Sequence, residues 1–424
     1  MDSVLHQPNG MGQADTQTPH PNLLLFYDWP PSSAWGGLVL LSRLLASYPS
    51  DKLIILTGSY TFNTDTKDGR VNAEYVIFPT MKPRGLFGFG WAIRWIDYLL
   101  IPLLILLGIW VVKQNRVEVI LTVAHGHFFI AAALVGLATS VPYILIVHDD
   151  WVSRMQSKSS VFKSLFPSIF RLVAQRATHI YVVNPGMQEM LKAEYGVESE
   201  LQMPATERFD GIDTIPRSTE EVDPGCIQIL YAGWYVASTL DSLDMLIKLV
   251  KGQKLLHHGA KSWVLDLYIP ADRERLRRLG WEHERIKVHG WVSQNEIRKA
   301  LKTADILFLP YSFKEDLKFL TTRSFPSKAA DYLASGKPIL IFAPPFSSIV
   351  QYARRFNFAE VVDQLSEDAL ARGICNIWRS KEYREKLRAN ALSAFEENHN
   401  IARQRREFLE LVGCLAKQSF PGCK

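Results

Sequence analysis

Runs of Val, Ile and Leu with no polar alternation recur along this chain, each followed by a turn and a helix-length stretch. A strand that is apolar on both faces has to be covered on both, and helical crossovers are what cover it. The pattern points to parallel α/β sheet and excludes a sandwich, whose strands alternate apolar and polar residues. The first series comprises 22–29, 53–58, 73–80, 117–126, 141–150 and 178–184, with helices expected in LVLLSRLLASY, HFFIAAALVGLATS, 161–176 and PGMQEMLKAEYG. The periodicity lapses over 204–225, which is rich in charge and proline, and restarts in CIQILYAGWY, WVLDLYIP, IKVHGW, DILFLPY and KPILIFAP. The expected fold class is α/β, with two Rossmann-like domains facing across a cleft. Residues 1–20 read as a disordered tail, 21–205 as the first domain and 206–225 as a linker. The second domain is expected over 226–395, and 396–424 as a C-terminal helix able to cross back to the first.

Charge and cysteine usage narrow the partners. Forty-eight basic and 43 acidic residues leave a net charge of +5, which suits an anionic ligand or membrane surface and is too weak to argue for nucleic acid. Cys226, Cys375, Cys414 and Cys423 are scattered, with no zinc spacing and no disulfide framework, so a cytoplasmic setting and no metal are expected. Residues 1–20 lack the basic start and apolar core of a signal peptide. YLLIPLLILLGIWVV, residues 98–112, has fifteen uncharged residues, short of the roughly 20 that span a bilayer. It reads as a buried or partly buried helix. An interfacial helix is the first alternative, because Arg94, Trp91 and Trp95 precede it, and it would give peripheral membrane contact over 86–112; a true span is the third reading.

In open parallel sheets, ligands bind outside the carboxyl ends of the strands. The first domain places Trp35-Gly36-Gly37, His125, His127 and His148-Asp149-Asp150 at such ends; the second places Gly233-Trp234, Gly290-Trp291 and Pro310-Tyr311 there. The most specific segment is TTRSFPSKAADYLASGKP, 321–338. Pro326 and Gly336 bracket a helix, whose start gathers Ser327, Lys328 and nearby Arg323 into a pocket suited to a phosphate or diphosphate. The alternative is a capped helix with a surface lysine. Asp331, one turn on, is placed to accept from a sugar hydroxyl pair. His125 and His127 could form a metal pair, but no third ligand is in view.

The run VHGWVSQNEIRKALKTADILFLPY…FPSKAADYLASGKPILIF resembles the C-terminal half of GT-B glycosyltransferases, family 4 and its PSK-type relatives in particular. THIYVVNPGMQEMLKAEYGV and the VHDD ending resemble the first half. The resemblance implies a nucleotide-diphosphate-sugar donor in the second domain, an acceptor in the first, no metal cofactor and retention of configuration. It implies Ser327 and Lys328 on the diphosphate, Asp331 on the ribose, and the Gly290-Trp291-Val292 backbone on the base. Gly233 and Arg323 complete the expected donor site. Gly36 and Gly37 would let their loop approach closely, with His125 and Asp150 beside the acceptor. His148 would face the reacting sugar, Asp149 or Asp150 would assist deprotonation of the acceptor hydroxyl, and Lys328 would stabilise the leaving phosphate. The acidic E-x7-E pair of the family is broken, since Arg323 stands at the first position and Asp331 at the second.

The expected function is transfer of a sugar to a hydroxyl on a glycan, a lipid-linked molecule or a small molecule, in polysaccharide or glycolipid synthesis. A nucleotide-sugar epimerase or hydrolase on the same scaffold is the alternative enzyme. A non-catalytic sugar-nucleotide-binding subunit is the third reading, motivated by the missing acidic residue. A dinucleotide oxidoreductase is disfavoured because PPSSAWGG lacks the G-x-G-x-x-G spacing.

Overall fold

A computed structural model describes residues 20–32, 36–65, 69–80, 98–156, 165–209, 226–271 and 273–419. Residues 1–19 of the expected tail, 210–225 of the linker, 86–97 of the expected membrane contact, Trp35 and Cys423 lie outside these.

The first sheet holds β1 (Leu23–Phe26), β2 (Leu53–Gly58), β3 (Glu74–Phe78), β4 (Val119–Val123), β5 (Tyr143–Val147), β6 (His179–Val182) and β7 (Glu200–Leu201). Its order is β3-β2-β1-β4-β5-β6-β7 and all pairings are parallel, with Leu23 opposite both Leu53 and Val119. The central strands β1, β2, β4 and β5 are buried at every residue, which is why they read as continuous apolar runs. The two-residue edge strand β7 was not expected, because so short an element leaves no period to detect.

The second sheet holds β8 (Cys226–Ala232), β9 (Ser262–Tyr268), β10 (Ile286–Val288), β11 (Ile306–Pro310), β12 (Ile339–Phe342) and β13 (Ala359–Val362), in the parallel order β10-β9-β8-β11-β12-β13. In each sheet the order reverses direction beside its first strand. Such switch points leave a crevice at the carboxyl edge.

The chain returns to the first domain at its end. A helix over Lys381–Asn398 stops at His399 and a second runs over Ile401–Ser419. At the crossing, Thr206 donates its N–H to the His399 carbonyl at 2.9 Å and accepts from the Ile401 N–H at 3.0 Å. Phe408, Val412, Leu415 and Ala416 then bury against Leu41, Leu44 and Leu45 on the helix Gly36–Leu45. The helix expected over 396–424 therefore begins at Ile401, set off from Lys381–Asn398 by a break at His399, and that helix is set off from Glu367–Arg379 by a break at Ser380.

The apolar stretch forms the helix Ile101–Gln114, with Leu104, Gly108, Val111 and Val112 buried and the opposite face in solvent. Among the described residues no helix is long and apolar enough to cross a membrane.

Candidate functional site

Lys328 opens the short helix Lys328–Ala334, behind Pro326, whose carbonyl accepts from the Ala329 N–H at 2.9 Å. Its ammonium donates to the Tyr231 hydroxyl at 2.8 Å and lies 4.0 Å from the centre of that ring. Tyr231 in turn donates to the Trp234 carbonyl at 2.6 Å. Gly233 follows β8 with φ +142°, a conformation that side chains rarely adopt, and a Cβ there would stand 2.6 Å from Lys328 Nζ. Among the described residues no carboxylate pairs with this ammonium. Burial without a counter-charge lowers its pKa from the ordinary lysine value to about 7.

The first domain meets this notch through its glycine pair. A Cβ on Gly36 would stand 2.8 Å from Ser327 Oγ, and one on Gly37 would stand 3.0 Å from His148 Nδ1. The start of the helix Gly36–Leu45, the end of β5 and the Ser327–Lys328 turn thus converge from two domains. Burial holds the His148 imidazole neutral, with its pKa down to about 4 although Asp149 opposes the shift. Asp149 also acts electrostatically on Tyr311 of the second domain, whose hydroxyl is 3.0 Å from Ser324 Oγ.

At the far side of the second sheet, Gly290 takes φ +69°, and the exposed rings of Trp291 and Trp234 lie 6.2 Å apart at the carboxyl ends of β10 and β8. Val292 follows, half-buried. Next to them His289 Nε2 is 2.6 Å from Asp266 Oδ1, and its ring stacks on Tyr268 at 4.2 Å.

A family model for Glycosyltransferase Family 4 matches residues 65–202, and one for Glycosyl transferases group 1 matches residues 227–380. The chain belongs to the GT-B glycosyltransferases. Solved structures agree on the fold. A glycosyltransferase from Rickettsia africae superposes with a TM-score of 0.64 at 14% identity, covering 94% of this chain and 99% of the other. HepE of Anabaena in complex with UDP gives 0.63 at 11% identity, covering 92% and 99%. Sucrose-phosphate synthase from Thermosynechococcus elongatus gives 0.62 at 13%, covering 94% and 99%. Among curated proteins, none matches the chain in sequence.

Three residues expected in the site of this glycosyltransferase form ion pairs across the domains. Arg323, expected on the donor, pairs with Asp150 and Glu194 of the first domain, the latter at 2.9 Å. Asp150, expected beside the acceptor, is held by that guanidinium and by the Ser153 N–H and hydroxyl at 3.0 and 2.6 Å, which start the helix Trp151–Gln156. Asp331, expected on the ribose, receives Arg43 Nη2 on both oxygens at 2.9 and 3.1 Å. In each case a guanidinium and a carboxylate on opposite domains find one another, and a partly buried charge is more stable so paired.

The two strand-end histidines differ from one another. His127 is buried against Tyr98 and Phe128, with its pKa lowered to about 4 by burial and by His125. His125 sits half-buried at the end of β4 with its ring edge-on to Tyr27. Among the described residues no three His, Cys, Asp or Glu side chains gather where they could hold a metal.

Sequence reasoning missed Arg43, Tyr231, Asn184 and Glu194. Arg43 carried a signal, as the one charge within LVLLSRLLASY. Asn184 caps the helix Pro185–Met190 through the Met187 N–H and donates across the domains to the Arg323 carbonyl at 2.9 Å. Tyr231 carried none, since a tyrosine inside a buried strand is usual core.

Proposed function

We propose that this glycosyltransferase moves a sugar from a nucleotide-diphosphate donor to a hydroxyl acceptor, retaining configuration and using Lys328 in place of a metal at the leaving diphosphate. One observation carries the reading: a desolvated ammonium, with no carboxylate partner among the described residues, lies against Gly233 at the notch where Gly36 meets Ser327. Breaking the sugar–phosphate bond develops negative charge on the diphosphate. A preorganised cation aimed there stabilises the transition state, and losing one such donor costs roughly 3–4 kcal/mol.

Ser327 and the Gly233 backbone would line the diphosphate, and Gly290, Trp291 and Val292 would hold the base, with Trp234 beside them. His148, neutral and adjacent to Gly37, would orient the donor sugar, while Asp149 would accept the acceptor's proton. UDP-glucose is the first donor to test, because HepE was solved with UDP-glucose. The acceptor side would include His125 and open toward a glycan or a lipid-linked molecule. A peripheral membrane setting, as in polysaccharide or glycolipid synthesis, is part of the reading.

A thermal-shift series with nucleoside diphosphates, followed by nucleotide-release assays with and without acceptors, tests the proposal. Ligand at 100 times its Kd should add about 2.7 kcal/mol of stability. Release that is acceptor-dependent and falls with Lys328→Ala supports transfer; acceptor-independent release would make the protein a hydrolase.

A further inference from the structure

We propose that the face of the first domain built by the helices Ile101–Gln114, Phe128–Thr139 and Leu165–Arg176 docks onto an anionic phospholipid surface. This deepens the membrane setting offered above by giving it a surface and a lipid charge, and it needs nothing from the donor notch.

Leu99, Leu103, Leu106 and Trp110 follow one another at spacings of three or four residues and are 57–77% exposed. They lie in or just before the first of these helices and run along one side of it. Its other side is fixed, because a Cβ on Gly108 would touch both Phe26 and Val135 at 2.7 Å, leaving no slack between helix and sheet. The stripe is therefore a rigid outward surface rather than an element waiting to fold in. Phe128–Thr139 packs between the other two helices and presents Leu134 and Leu137, and Leu165–Arg176 adds Leu165 and Leu172. Soluble monomers rarely expose so many large apolar side chains on neighbouring helices without a partner.

Charge selects the partner. Residues 98–116, 128–140 and 165–176 contain no Asp or Glu, whereas Lys113, Arg116, Arg171 and Arg176 all fall within them. Lys113 continues the Leu103–Leu106–Trp110 stripe by one further step. Exposed leucines, a tryptophan near the helix end and bases just beyond it are what a helix lying in the headgroup layer of an acidic bilayer requires. A second copy of the chain would bring the same bases against these, so charge opposes self-association through this face.

The full chain is floated with phosphatidylglycerol-containing vesicles and with pure phosphatidylcholine vesicles. The wild type should float with the first, weaken with salt, and bind the second far less. Leu103→Gln with Leu106→Gln and Trp110→Gln should cut binding at least tenfold. Lys113→Gln and Arg176→Gln should each cut it about fivefold. Lys328→Ala should float like the wild type, which separates this proposal from the donor reading. If the triple variant loses its cooperative melt, the two basic variants decide. No flotation of the wild type, unchanged binding by the variants, or a wild-type dimer that the triple variant dissociates would overturn the proposal.

Discussion

Arg43 reaches from the first domain and places Nη2 2.9 and 3.1 Å from the two carboxylate oxygens of Asp331 in the second. The same arginine gives Nη1 to the Ala205 carbonyl at 3.0 Å, and its own carbonyl accepts from Arg405 Nη2 at 2.6 Å on the returning helix. One residue, through its guanidinium and its carbonyl, thus ties together both domains and the crossing segment. Arg323 with Asp150 and Glu194 forms a second such tie. The two positions that the family pattern fills with an acidic pair are here both wired to the opposite domain.

That wiring predicts non-additive losses. Arg43→Met and Asp331→Asn should each destabilise by about 1–3 kcal/mol, and the double variant by little more than the worse single one. Urea unfolding of the four proteins checks this. Additive effects, with a loss of donor affinity confined to Asp331→Asn, would return Asp331 to the ribose.

Lys328 predicts a pH-dependent affinity. Its pKa is lowered to about 7, so the empty protein is losing that proton as pH rises past neutrality. A bound diphosphate favours the ammonium, and binding must then take up a proton. UDP-glucose affinity should fall as pH rises from about 6.5 to about 8.5, by up to tenfold per unit at the upper end. Calorimetry in two buffers of different ionisation heat should detect the uptake in the wild type and none in Lys328→Met. A flat profile would separate the ammonium from the phosphates.

Gly36 and Gly37 stood out in the sequence as a glycine pair after a first strand, expected to let their loop approach the donor or acceptor. The structure sets them at the start of the helix Gly36–Leu45, where a Cβ on each would stand 2.8 Å from Ser327 Oγ and 3.0 Å from His148 Nδ1. The two sheets were legible because wholly buried strands cannot hide their composition. The fates of Arg323, Asp150 and Asp331 were not. A guanidinium three residues before a proline reads the same whether its partner is a phosphate or a carboxylate brought from 173 residues away. Local sequence records that a charge exists, and the choice of partner is made by the docking of two domains.

Gly36→Ala should therefore lower turnover at least tenfold while melting within a few degrees of the wild type. The added methyl meets Ser327 Oγ at 2.8 Å, and relieving such overpacking by shifting the helix start or the facing turn costs about 1–3 kcal/mol. The shift would fall on the domain junction rather than the core. Steady-state kinetics beside a thermal melt reads both quantities. Full activity would show that the helix start and the Ser327 turn need not meet during the reaction.

Acid should unfold this protein through three histidines. His127, His148 and His399 are each held near pKa 4 by burial, whereas an unfolded histidine titrates near 6.5. Between those values the unfolded chain binds the extra protons, so stability falls as pH drops from about 6.5 toward 4 and is unaffected by these groups above that window. Each contributes a slope of up to about 1.4 kcal/mol per pH unit. His399 bears most directly on the architecture. Its Nδ1 is 2.5 Å from the Pro204 carbonyl and its Nε2 is 3.0 Å from the Tyr352 hydroxyl, at the point where the last helix crosses back. The neutral tautomer satisfies both contacts by donating from Nδ1 and accepting at Nε2; the imidazolium has no lone pair for the tyrosine. His399→Gln should thus be less stable than the wild type at pH 7.5, yet lose less on going to pH 5. Urea midpoints at those two pH values decide, and parallel losses in the two proteins would move the acid sensitivity elsewhere.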